Sequence, residues 1–154
     1  MPVPGRQPFP DQGPTAGADC AVLAVAAQLH IGEGKFIDLP VRFGYHGTEP
    51  FSVVMEFPGS DPAVGTWEFS RDLLWKGLHR PAGTGDVRIS PPCRCHGRRR
   101  LRITLRGDDG TASIDVPVGP VQGWLRESFA LVPRGREAEL IDWDAESRRL
   151  VDGR

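Results

Sequence analysis

Cysteine is scarce in this chain: there are three, Cys20, Cys93 and Cys95. An odd, sparse set is not the disulfide framework of a small secreted domain. Cys93 and Cys95 flank a single residue, and a ring that small is strained, so reduced thiols in a cytoplasm are the expectation. Long apolar runs are missing too. The longest, CAVLAVAA at 20–27, is far short of the roughly 20 residues that span a bilayer. With several prolines and one arginine ahead of it, it is also a poor signal-peptide core. Neither sign of charge dominates, since 19 Lys and Arg stand against 20 Asp and Glu. Nothing global therefore calls for nucleic acid or an acidic partner, and any basic surface must be local.

Catalytic motifs are equally absent. There is no His-Glu-x-x-His and no Gly-x-Ser-x-Gly. Gly83-Thr84-Gly85 lacks the phosphate-loop pattern, and it follows a helical segment and precedes a strand, the reverse of a phosphate loop. It reads as a tight turn. His79, Arg80 and Asp86 could meet in space, but any loop offers that much. A zinc site needs about four converging ligands. Cys93-Arg94-Cys95-His96 offers at most three, and a fourth would have to be His79, His30 or Cys20. The expectation is a non-enzyme without metal or cofactor.

What the chain has in quantity is turn residues: 19 Gly and 15 Pro. They point to many short strands in one domain. Residues 1–19 are rich in Pro and Gly without apolar periodicity and read as a disordered tail, leaving 20–154 as the domain. The segment 20–31 is ambiguous: its alanines suit a helix, while Leu23, Val25, Leu29 and Ile31 alternate as in a strand. In 36–45, Ile37, Leu39, Val41, Phe43 and Tyr45 alternate with polar residues, giving a half-buried strand in which Pro40 marks an edge or bulge. Strands follow at 51–57, with Phe51, Val53, Met55 and Phe57 on one face, and at GTWEF, ending at Phe69. Ser70 then caps a helix through RDLLWKGL that Gly77 ends and Pro81 keeps from resuming. Val87 and Ile89 mark a fifth strand.

The next pair can be registered from both faces. GDDG at 107–110 is the turn, Arg106 meets Thr111, Thr104 meets Ser113 and Arg102 meets Asp115. The same register sets Leu105 against Ala112, Ile103 against Ile114 and Leu101 against Val116. Val118, Val121, Leu125, Phe129 and Val132 recur at helical spacing until Pro133, and a last short helix starts at Asp142 or Asp144. The class is α+β with antiparallel sheets. The strongest electrostatic feature is a stripe of Arg98, Arg100, Arg102 and Arg106 on one sheet face, with Arg94 and Arg99 near it. Binders of single-stranded nucleic acid use such stripes with aromatics interleaved. None is interleaved here, so a solvated face or a protein contact is the simpler reading.

FSRDLLWKGLHRPAGTGDVRISP at 69–91 resembles the signature block of the SsgA-like proteins. Phe69, Arg71, Leu73, Leu74, Gly77, Leu78, Pro81, Gly83, Gly85, Asp86, Val87 and Pro91 stand in the family's order and spacing. LPVRFGYHGTEPFSVVMEF, VPVGPVQGWLRESFALVPRGRE and IDWDAESRRL resemble further blocks of the same family. The resemblance implies a Whirly-like fold of twisted antiparallel sheets with packed helices, assembled as a trimer, and makes 20–31 a first strand. It implies a non-catalytic role in sporulation-specific cell division, with FtsZ or another SsgA-like protein as partner and recruitment to septa. The longer leader and the basic, cysteine-rich CRCHGRRR depart from the family pattern. By analogy of fold, the alternative is a single-stranded nucleic-acid binder.

Overall fold

Alternation prevails over alanine's helix propensity in the first segment. Residues Cys20–Gly32 form strand β1, paired antiparallel along its length with β2, Lys35–His46. A two-residue turn with Gly34 in the left-handed region (φ 64°) joins them. A helix here would leave the apolar faces of Val41, Phe43 and Tyr45 uncovered. As a strand, β1 sets Val25, Leu23 and Ala21 directly opposite them. The computed structural model describes residues 19–60, 65–92, 99–140 and 143–152. The expected N-terminal tail lies outside them except for Asp19, whose carbonyl accepts from Gly47 N at 2.8 Å.

Strands β3 (Ser52–Glu56) and β4 (Thr66–Ser70) extend the sheet beyond β2. Helix α1 (Arg71–Gly77) follows at once, and β5 (Val87–Ser90), β6 (Arg100–Gly107) and β7 (Gly110–Pro117) form a second antiparallel group. The β6–β7 register is the one that the sequence predicts at every pair from Leu101–Val116 to Arg106–Thr111. Instead of separate sheets, the strands make one seven-stranded sheet in the order β4-β3-β2-β1-β7-β6-β5. The long β1 causes this. Its far end passes beside β7, where Gln28 pairs with Asp115 and Leu29 with Ile114.

Helix α2 (Val118–Leu131) lies against β1 and β7. It buries Val118, Val121, Trp124, Leu125 and Ser128, and the Trp124 ring meets Phe43 at a centroid distance of 5.6 Å. A 3₁₀ turn, Glu137–Leu140, and helix α3, Trp143–Asp152, complete the described chain.

Two expectations need correction. Ile37 and Phe51, assigned to buried strand faces, are each 49% exposed. The β1–β2 hairpin overhangs the core at its far end, and Phe51 stands in the turn before β3. Gly77 does end the helix, as the sequence predicts. It is the last residue of α1, with Leu78 as C-cap, and it has no positive φ. Its value is space, since a Cβ there would overlap the Cβ and Cγ2 of Ile89. Pro40 does sit at a local edge: pairing of β2 with β3 runs only from Arg42 to Tyr45, so beyond it Pro40 has β1 alone beside it.

Candidate functional site

The signature block folds around one buried cation. Ser70 has extended backbone and its Oγ accepts from Leu73 N at 3.0 Å, which starts α1. The next side chain, Arg71, turns inward and is 1% exposed. Its Nη1 donates to the carbonyls of Ser128 (3.1 Å) and Val132 (2.8 Å), and its Nη2 donates to Glu137 Oε1 at 2.8 Å. The guanidinium lies between the rings of Tyr45 and Phe129, 4.6 and 4.7 Å from their centroids. The final carbonyls of a helix lack intrahelical partners and carry partial negative charge. Helix α2 has no basic residue in its last turn, and Arg71 supplies that charge from another element. Burial pushes the Glu137 carboxyl up, but hydrogen bonding and attraction from Arg71 outweigh it and leave the carboxyl below its ordinary range. Tyr45, whose hydroxyl donates to the Pro50 carbonyl at 3.0 Å, is pushed up to about 12 by burial, with Arg71 opposing.

A second set of contacts lies beside the first at the surface. Asp72 pairs with Lys76 (2.8 Å) and with Arg134 (3.0 Å), and Arg134 stacks on Trp75 at 3.6 Å from the ring centroid. Those hydrogen bonds, the Lys76 one foremost, hold the Asp72 carboxyl below its ordinary range. His79 lies 4.7 Å from the Trp75 ring and its Nδ1–H donates to the Trp75 carbonyl at 2.8 Å. Arg71 and Asp72 thus bind the chain between 128 and 137 from inside and outside. Leu74 is fully buried and Leu73 and Leu78 pack partly against the core, as does the buried Phe69. After Pro81, Ala82 bridges Ile89 through two 2.9 Å hydrogen bonds. Gly83 takes φ 98°, and a Cβ on it would overlap the Val87 carbonyl, so glycine is required there; Gly85 meets nothing. Asp86 presents its carbonyl to Arg106 N at 2.8 Å, and Val87 opens β5. An open groove of about 260 Å³ runs between Glu68, Phe69 and Leu73 on one side and Gly83–Val87 on the other. Among the described residues no three His, Cys, Asp or Glu side chains converge on a metal position. Cys93, Cys95, His96, Arg94 and Arg98 lie outside the described residues.

Of the expected arginine stripe, Arg100, Arg102 and Arg106 share one side of β6. Leu101, Ile103 and Leu105 are buried, while Arg102 and Arg106 are exposed and Arg100 is half-buried on the other side of β6. Arg102 grips Asp115 with Nε and Nη2 at 2.9 and 3.2 Å. His30 joins from β1, its Nε2 lying 2.8 Å from Asp115 Oδ2. Burial pushes the Asp115 carboxyl up, and the hydrogen bonds of Arg102 and His30 bring it below its ordinary range. The sequence reading missed two participants: His30, brought in by the β1–β7 pairing, and Arg88, which β5 sets directly opposite Thr104 on this face. An alternation reading of VRIS exposes Arg88 beside buried Val87 and Ile89, the one local signal available.

A family model described as Streptomyces sporulation and cell division protein, SsgA, matches residues 39–137. The chain belongs to the SsgA family. The SsgA match ends on Glu137, so it contains both members of the Arg71–Glu137 pair. The sporulation-specific cell division protein SsgB of Kineococcus radiotolerans is 37% identical over 128 residues, 82% of this chain and 77% of that protein. SsgB of Streptomyces coelicolor is 34% identical over 131 residues, 82% of this chain and 95% of the relative. A solved SsgB structure, described with mutations that correlate to longitudinal cell division during sporulation of Streptomyces coelicolor, matches with a TM-score of 0.74 at 30% identity, covering 82% of this chain and 99% of that one. The resemblance carried by the signature block is thereby borne out.

Proposed function

We propose that this SsgA-family chain is a non-catalytic regulator of sporulation-specific cell division that acts as an adaptor at septa. The observation that carries the reading is its agreement in sequence and fold with SsgB proteins over 82% of its length. The described residues add a structural account: the signature block is spent on packing, capping and ion pairing, not on a reactive group. No helix among them is long and apolar enough to cross a membrane, and the reading places the protein in the cytoplasm, recruited to septa by a division protein such as FtsZ or another SsgA-like chain. A tagged copy imaged through sporulation should collect at developing septa, and its deletion should leave septa missing or misplaced. A diffuse signal and normal septation overturn the reading.

In the same reading the chain assembles as a Whirly-like trimer. Its support is the overhanging β1–β2 hairpin, where Ile31, Phe36 and Ile37 are 58%, 49% and 49% exposed, and the outer face of β1, where Val22 is 40% exposed. A patch of this kind marks a protein contact more often than bare surface. Sedimentation equilibrium should give three times 16.8 kDa. Phe36→Asp/Ile37→Asp should give the monomer with little change in melting. A monomeric wild type removes the trimer.

A further inference from the structure

The outer face of β5 and β6 carries more order than a solvated basic patch requires. Along β6 the outward positions are Arg100, Arg102, Thr104 and Arg106. Thr104 interrupts the arginines, and the residue directly opposite it on β5 is Arg88, exposed on the same face. Each outward step along a strand is about 7 Å, so four arginine positions mark successive steps over about 20 Å, with Arg88 contributed by the neighbouring strand. Half-buried Arg100 keeps its Nη1 buried without a hydrogen-bond partner among the described residues. Arg102 is bound to Asp115. Arg88, Arg100 and Arg106 form no ion pair among the described residues. Among the described residues two acids stand beside this row, Asp115 against Arg102 and Asp86 just ahead of β5, whose carbonyl meets Arg106 N, while Ser90, Thr111 and Ser113 are neutral. Four arginines beside two acids leave an excess of positive charge, and the repulsion among them is a cost that a bound polyanion would relieve.

We propose that this row is the docking surface for an extended acidic segment of a protein partner, one with a carboxylate at every second residue. The spacing selects it. Alternate side chains of an extended peptide emerge on one side about 7 Å apart, which matches the arginine step, and the planar guanidinium fork takes a carboxylate through two parallel hydrogen bonds. A single strand of nucleic acid has similar charge spacing but needs platforms for its bases. No Phe, Tyr or Trp lies among Arg88, Ser90, Arg100, Arg102, Thr104 and Arg106, and the whole chain has a net charge of −1. The proposal rests on the adaptor reading, for which it names the chemistry of the partner segment.

The test is an anisotropy titration of the full chain at about 50 mM salt, where surface pairs are weakly screened. The probes are a labelled peptide of about twelve residues alternating Glu and Thr, a peptide of the same composition with its Glu in one block, and a single-stranded DNA of equal charge. The alternating peptide should bind several-fold tighter than the blocked one and than the DNA. Arg88→Gln/Arg106→Gln removes two exposed pairs and should weaken the alternating peptide about tenfold. Arg126→Gln, an exposed arginine of α2, should not. Both changes lie on the surface, and equal melting temperatures will show that the fold is kept. Equal affinity for the two peptides, or no loss in the double variant, overturns the proposal, and tighter binding of the DNA transfers the row to nucleic acid. These outcomes are independent of septal imaging: a tagged chain that never reaches septa defeats the adaptor reading whatever the peptides do.

Discussion

Arg71 Nη2 lies 2.8 Å from Glu137 Oε1, a pair separated by 66 residues whose cation is 1% exposed. The pair joins the start of α1 to the segment that leaves α2, and both ends fall within the family match. A buried pair costs desolvation when it forms, and removing one member strands the other. Glu137→Gln should therefore destabilise by about 3 kcal/mol in urea unfolding, and Arg71→Met by a similar amount. The double variant should lose clearly less than the two singles together. Additive losses would show that each residue acts alone.

Gly77→Ala sets two effects against each other. In an exposed helix the change gains about 1 kcal/mol from propensity. Here the new methyl overlaps the Ile89 side chain, which is fully buried and cannot swing away. Overpacking of this kind costs about 1–3 kcal/mol, so the variant should be less stable than the wild type. Ile89→Val should relieve part of the overlap and make the pair non-additive. A stabilised Gly77→Ala protein would mean that α1 moves off β5 at little cost.

Tyr45 is the single tyrosine, so phenolate absorbance reports it alone. Its folded pKa is about 12 against 10.0 for the ordinary phenol, and its ring is fully buried. The folded value is the higher one, so this contribution is fully present below pH 10 and is lost as pH rises toward 12. The difference is worth about 2–3 kcal/mol. The native protein should show no phenolate at pH 10.5, and its urea midpoint should fall steadily above pH 10. Appearance of phenolate near pH 10 without unfolding contradicts the burial of the hydroxyl.

Asp115 ties three strands together through Arg102 on β6 and His30 on β1. Only Gln28 and Leu29 pair with β7 beside it, so these side chains reinforce a short seam. Asp115→Asn should cost about 1–3 kcal/mol and speed amide exchange in 28–30 ahead of the β6–β7 hairpin. The carboxyls of Asp115 and Glu137 are both depressed, so their stabilisation is present above about pH 4–5 and is lost as pH falls through their folded values. Asp115→Asn should accordingly flatten the acid limb of the stability profile. Uniform exchange across the sheet would show that the cluster carries no local load.

Local chemistry makes part of this protein legible in its amino-acid sequence alone. The β6–β7 register follows from residues a few positions apart, because only one alignment satisfies the apolar and the polar face together. Ser70 announces α1 by a hydrogen bond to its own third neighbour. The spacing from Val118 to Leu125 declares the buried side of α2, and the signature block declares the family. Other facts depend on segments distant in sequence. Residues 20–31 leave helix and strand open until β2 and β7 pair with them. Arg71 looks like a first-turn surface residue, and it is buried because the end of α2 and Glu137 come to it across 57 and 66 positions. Ile37 has the pattern of a core residue, yet among the described residues no element covers the end of its hairpin. Arg88 completes the arginine row only because β5 lies beside β6 with Thr104 opposite. Periodicity states which side of an element is apolar, but which elements meet that side, and where the sheet ends, is decided by tertiary packing alone.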